Sequence, residues 1–257
     1  MERRDFKLSS VLIIQILMAL ILYLLGKILN GPIEDSEPSI IYSILAILIS
    51  IVGNVILAHG LLFNRMGSVS EYLEGVHVLN PSNIGLSFII NIIPTIIAYG
   101  LGVGLVLSVT FGLMAGDFSA LGSWIFTVLL ILVVSTVYYI FTAYKYFVIA
   151  DNPNMAFVDL FKRIFKVGKD LAGQTIKVFL TRIVLPIIAY VVILVALVGS
   201  ASRGPNVGVS LFAGIISIIF IIYILLAFVF FLNQLSLNYL DYKGKDLEEI
   251  DYKRVYQ

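Results

Sequence analysis

Six apolar stretches separated by short polar breaks dominate the chain, at about 8–29, 40–63, 84–114, 121–150, 175–199 and 210–240. Each can cross a hydrocarbon core of roughly 30 Å, which takes about 20 helical residues. None alternates polar with apolar positions, so barrel strands, which are shorter and alternate, are the wrong element. The pattern predicts an all-α fold: a polytopic membrane bundle of six transmembrane helices in one membrane domain over 1–257, with a cytoplasmic tail at 241–257. The first run follows "MERRDFK" and continues into "LLGKILNGP" without a small-x-small cleavage site. It reads as an uncleaved helix rather than a signal peptide.

The pattern changes character once, in "YKYFVIADNPNMAFVDLFKRIFKVGKDLAGQ", residues 144–174. Asp151-Asn152-Pro153 ends the fourth span, because the residue before a proline is pushed out of the helical region and Asn caps readily. Proline then suits the first turn of a new helix. Phe157, Leu160, Phe161, Ile164 and Phe165 recur at helical spacing on one face, with Asp159, Lys162, Arg163, Lys166 and Lys169 on the other. These positions predict an interfacial amphipathic helix over about 153–170 with a basic face, Gly168 and Gly173 allowing a bend before the fifth span. A lesser one is expected between spans two and three. Lys145, at the inner end of the fourth span, and Arg182, about two turns into the fifth, are expected to snorkel to the headgroups.

Charge fixes the orientation. With the N-terminus inside, fifteen lysines and arginines fall on the inner side and only Lys27 and Arg203 on the outer. The positive-inside rule then places both termini in the cytoplasm and the protein in the plasma membrane. Ile and Lys richness hints at a prokaryotic source.

Composition narrows the chemistry further. Hydrophobic residues make up 60% of the chain and charged ones 13%, so there is too little polar surface for a soluble domain. The mean hydropathy is +1.03. A net charge of +1 gives no field for nucleic acid. Cysteine is absent and only His59 and His77 occur. Disulfides, thiolate nucleophiles, Cys-based zinc and iron–sulfur sites are therefore excluded, and a multi-histidine metal site is not expected. Glu71, Glu74 and His77 show helical spacing, but a Glu-x-x-His bundle site needs a second set. No G-x-S-x-G, H-E-x-x-H or Walker loop is present, and "EEIDYKR" in the tail reads as solvated. No catalytic residue, metal or cofactor is expected.

Two spans carry proline, Pro94 in "IPTIIAY" and Pro186 in "LPIIAY". The echo suggests a repeated hairpin, helices two and three matching four and five. Gly100 and Gly104 suit close helix packing. Asn54, Asn91 and Gln15 are expected as interhelical hydrogen-bond partners.

A span ending in "YKYFVIADNP", then "MAFVDLFKRIFKVGKDLAGQ", then another span resembles uncharacterised six-helix prokaryotic membrane proteins. It is also similar to the membrane domain that precedes some bacterial glycerophosphodiester phosphodiesterases. The likeness covers residues 120–240. It implies a membrane domain and carries over no catalytic or binding residue, since no phosphodiesterase domain follows in these 257 residues.

The sequence thus points to a non-enzymatic scaffold or accessory protein. Lys162, Arg163, Lys166 and Lys169 would meet anionic lipid or a protein partner at the cytoplasmic face. The alternative is a small-solute transporter or channel component with a path along Pro94, Gly100, Gly104, Arg182 and Pro186.

Overall fold

A computed structural model describes residues 5–30, 39–114, 119–201 and 207–255, and every described element is helical. In chain order they are α1 (Leu8–Asn30), α2 (Ile40–Phe63), α3 (Val69–Leu73) with a 3₁₀ turn (Glu74–Val78), α4 (Pro81–Met114), α5 (Ser119–Thr142) and α6 (Lys145–Asp151). Then come α7 (Phe157–Asp170), α8 (Ala172–Phe179), a π-helical turn (Leu180–Val184), α9 (Leu185–Ala201) and α10 (Val207–Val255). Among the described residues five helical stretches are long and apolar enough to cross a membrane. They become six if the pair Val69–Val78 and Pro81–Ile97, bent by 95°, forms one span. Such helices belong to a membrane-embedded protein.

Packing is tight at one end of the bundle. The largest fully buried side chains include Tyr72, Tyr144, Tyr239, Phe231, Leu160 and Ile164. All lie at or near α3, α6, α7 and the polar half of α10. Further along, α5 exposes Ile125, Phe126, Leu129 and Leu132, and α9 exposes Ile188, Val192 and Val195. Those surfaces suit acyl chains rather than water.

The tight end is stitched by polar residues from the connections. Ser68 caps α3: its hydroxyl accepts from the Glu71 amide at 3.4 Å and donates to the Glu71 carboxylate at 3.2 Å. Asn80 caps α4, its Oδ1 accepting from the Asn83 amide at 2.8 Å. Both asparagine side chains also donate to the Pro153 carbonyl, at 2.7 and 3.0 Å, tying the two long connections together. The Arg65 guanidinium donates to Ser236 on α10 at 2.8 Å and to Asn233. Glu74 and His77 are exposed.

The 144–174 segment differs in detail from its expectation. α7 begins at Phe157 rather than Pro153, with Ala156 in an extended conformation before it. Pro153 lies in the turn, where its carbonyl is more useful as an acceptor than its ring is as a helix starter. The buried stripe is Leu160, Ile164, Val167 and Gly168, while Phe157 and Phe161 lie at its exposed edge. The bend falls at Leu171, with φ −99° and ψ 6°, between the two glycines rather than on either. Gly168 serves packing instead: a Cβ there would lie 1.9 Å from the Phe141 carbonyl oxygen. The expected tail continues α10 as helix to Val255.

Both prolines lie in helical backbone, and a common device repairs each. A helical proline leaves the carbonyl four residues earlier without its N–H partner. For Pro94 that carbonyl belongs to Ile90, and the Tyr138 hydroxyl of α5 donates to it at 2.8 Å. For Pro186 it belongs to Arg182, and the Tyr223 hydroxyl of α10 donates to it at 3.3 Å. Near Pro186 the helix also widens into the π turn, whose exit amide reaches back to the Leu180 carbonyl. In each case the donor comes from the next span, a physical counterpart of the "IPTIIAY" and "LPIIAY" echo. Tyr138→Phe is expected to cost about 1–2 kcal/mol by thermal melting. In a Pro94→Ala background, where residue 94 regains its N–H, that cost should largely vanish. An equal cost in both backgrounds would mean that the hydroxyl does not serve the proline.

Candidate functional site

The fourth span is interrupted where a charge sits. α5 ends at Thr142, Ala143 and Tyr144 form a turn, and Lys145 opens α6. Six residues separate Lys145 from Asp151 at the end of this span, about 9 Å at 1.5 Å per residue. The Lys145 ammonium donates to Asn91 Oδ1 of α4 at 2.5 Å and lies 5.0 Å from the centroid of the Tyr146 ring. The Asn91 amide in turn donates to the Tyr146 hydroxyl at 3.0 Å. Lys145 therefore turns into the bundle instead of snorkelling, because a neutral amide within reach on α4 holds its charge.

Two cavity lobes meet at this lysine. One, of about 450 Å³, is walled by Ala46, Ile47, Ser50 and Asn54 of α2 and by Leu232 and Leu235 of α10. The other, of about 610 Å³, is walled chiefly by Ile90, Pro94, Leu132, Phe179, Ile183 and Phe228. Asn91, Tyr139, Thr142, Lys145 and Phe228 line both, so the two lobes adjoin at these residues and together make up the chamber around Lys145. Among the described residues no aspartate or glutamate lines either lobe, and Lys145 has no carboxylate within ion-pairing distance. A cation faced only by neutral dipoles and carbon is costly to keep, which makes the chamber receptive to an anion.

Among the described residues expected along a solute path, only Pro94 lines this chamber. Pro186 lines a separate groove of about 350 Å³ between α9 and α10, with Tyr190, Phe220 and Tyr223. Gly100 lies on an exposed part of α4 where a Cβ would meet nothing within 4 Å, so it makes no close helix contact. The surroundings of Gly104 lie outside the described residues. Arg182 is exposed on the π turn and lines neither lobe. The structure thus does not bring Pro94, Gly100, Arg182 and Pro186 together at one site. The three polar residues noted within spans also separate: Asn91 bonds across helices, Asn54 donates to Ser50 of its own helix at 2.7 Å, and Gln15 Nε2 is buried without a protein partner.

The basic face of α7 divides as well. Lys162, Lys166 and Lys169 are exposed at i, i+4 and i+7. Arg163 turns inward and hydrogen-bonds Tyr239. Tyr239 donates to Asp151 Oδ2 at 3.0 Å, and Lys243 pairs with Asp151 Oδ1 at 2.5 Å. Helical periodicity puts Arg163 with the lysines. Only the position of α10 shows that it has Tyr239 as a neighbour.

Fold and site together define a multipass helical membrane protein with an open, lysine-bearing chamber between its helices. Comparison with family models, with curated proteins and with solved structures gives no match.

Proposed function

We propose that this protein binds a small organic anion inside its bundle, as a solute-transporting or solute-sensing membrane component, in preference to the scaffold role. The observation that carries this reading is Lys145: a lysine within a span, paired with an amide rather than a carboxylate, at the junction of two cavity lobes. With the basic end of the bundle cytoplasmic by the positive-inside rule, the chamber lies in the inner half of the membrane. A solute would reach it from the inner leaflet or the cytoplasm. Membrane ligand sites commonly combine a cavity near a helix break with a few convergent polar groups.

The chain has no cysteine, so single cysteines report without background. Ser50→Cys, Ser135→Cys and Thr142→Cys, each lining a lobe, should label with a membrane-impermeant thiol reagent in inside-out vesicles. Val192→Cys, on the exposed apolar side of α9, should not. Uniform protection of the three chamber positions would overturn the proposal.

A further inference from the structure

Resting on the chamber reading, we infer that the ligand is a single-chain monocarboxylate, its carboxylate at Lys145 and its apolar chain in the larger lobe. Charge selects the headgroup. Among the described residues Lys145 is the only lysine, arginine or histidine lining either lobe, and no described carboxylate offsets it. One negative charge neutralises the chamber, whereas a phosphate monoester carrying about −1.5 to −2 would leave an uncompensated charge among apolar walls. Lysine also presents a point charge with three donors, of which one is used on Asn91. Two donors remain for a carboxylate. The planar fork that favours bidentate phosphate recognition is absent, since no arginine lines the chamber.

Hydrogen bonding selects the chain. The larger lobe contains hydroxyls, but two of them are already used. Tyr138 donates to the Ile90 carbonyl at 2.8 Å and Thr142 to the Tyr138 carbonyl at 2.9 Å. What this lobe mainly offers a guest is carbon from Ile90, Pro94, Leu132, Phe179, Ile183 and Phe228. Its volume of about 610 Å³ lies within the range of small-molecule pockets. The smaller lobe has more polar lining in proportion, with Ser50 and Asn54, and would hold water or the second carboxylate oxygen.

The test uses the full chain in nanodiscs of zwitterionic lipid, with radiolabelled dodecanoate as probe and dodecyl phosphate and dodecanol as matched competitors. Dodecanoate should bind saturably above empty discs, with dodecanol and dodecyl phosphate each competing at least about tenfold more weakly. Lys145→Gln should weaken dodecanoate by about tenfold or more, and Lys145→Arg should restore binding. If Lys145→Gln does not yield folded protein, Thr136→Trp obstructs the larger lobe while leaving the lysine in place, and should abolish saturable binding.

Equal competition by dodecanol, or dodecanoate binding undiminished in both Lys145→Gln and Thr136→Trp, overturns the inference. Tighter binding of dodecyl phosphate overturns the carboxylate assignment yet leaves the anion-binding chamber standing. Absence of saturable binding by either anion, together with protected chamber cysteines, removes both.

Discussion

Gly168→Ala is expected to destabilise the protein severely, and Gly173→Ala, five residues on, to leave it unchanged or slightly firmer. At Gly168 the added methyl would lie 1.9 Å from the Phe141 carbonyl oxygen and 2.5 Å from its carbon. These are backbone atoms, so no rotamer change relieves the clash. α7 must lift off the end of α5, withdrawing Leu160, Ile164 and Val167 from a core in which each is essentially buried. Overpacking typically costs about 1–3 kcal/mol, and an immovable backbone neighbour puts this position at or above the top of that range. For a chain of this size, 3 kcal/mol corresponds to roughly 6–12 °C in melting temperature. At Gly173 a Cβ would meet nothing within 4 Å, and alanine is the better helix former by about 1 kcal/mol. Melting curves of the two variants in the same detergent check the pair. Similar loss in both would show that α7 is not seated on Phe141.

Asp151→Ala is expected to be the next most damaging change, and more damaging than Lys243→Ala. The Asp151 side chain is 6% exposed and the Lys243 side chain 37%. One carboxylate oxygen holds the Lys243 ammonium and the other accepts from Tyr239, which also meets Arg163. Removing the acid leaves Tyr239 without its acceptor and the Lys243 ammonium without its counter-charge. Breaking a fully buried pair costs about 3–5 kcal/mol. The half-exposed lysine stays partly solvated, which lowers the expectation to about 2–3 kcal/mol. Removing Lys243 instead leaves the acid with Tyr239 and costs about 1 kcal/mol. Because this cluster ties α6 and α7 to α10, Asp151→Ala should also speed proteolysis near Lys243. Equal melting temperatures for the two alanine variants would refute the asymmetry.

Several elements were legible in the linear pattern because a local rule governs each. Spans follow from length and hydropathy, the stop at Asn152 from the proline after it, and the amphipathic character of 157–170 from its period. The proline echo was visible too, as a likeness between a seven-residue and a six-residue string. Its physical content was not, because Tyr138 lies 44 residues and Tyr223 37 residues beyond the proline each one serves. Nothing local marks a tyrosine as the donor to a freed carbonyl.

The site was less legible, for the same reason. Asn91 and Lys145 each stood out as a polar residue in an apolar run, but they are 54 residues apart. Periodicity cannot say which helices are neighbours. Lys145 near a span end suggested a headgroup anchor, and the turn at Ala143 and Tyr144 that redirects it carries no Gly or Pro to announce it. Arg163 misled in the opposite sense: its position on the helical wheel is correct, yet α10 passes on that side.

What the sequence by itself determined is the class of molecule. Burial of backbone polar groups in lipid permits long helices here, and hydropathy registers them one residue at a time. It also determined which chemistries lack their atoms, since missing cysteines and sparse histidines are facts of composition. The tertiary structure alone decided which cation is exposed, which is spent on an ion-pair cluster and which faces a chamber. Those assignments depend on the sums of neighbouring charges, dipoles and space from helices distant in the chain. A charge is costly or cheap according to what surrounds it, and in this protein Asn91, Asp151 and α10 set those surroundings for Lys145, Lys243 and Arg163.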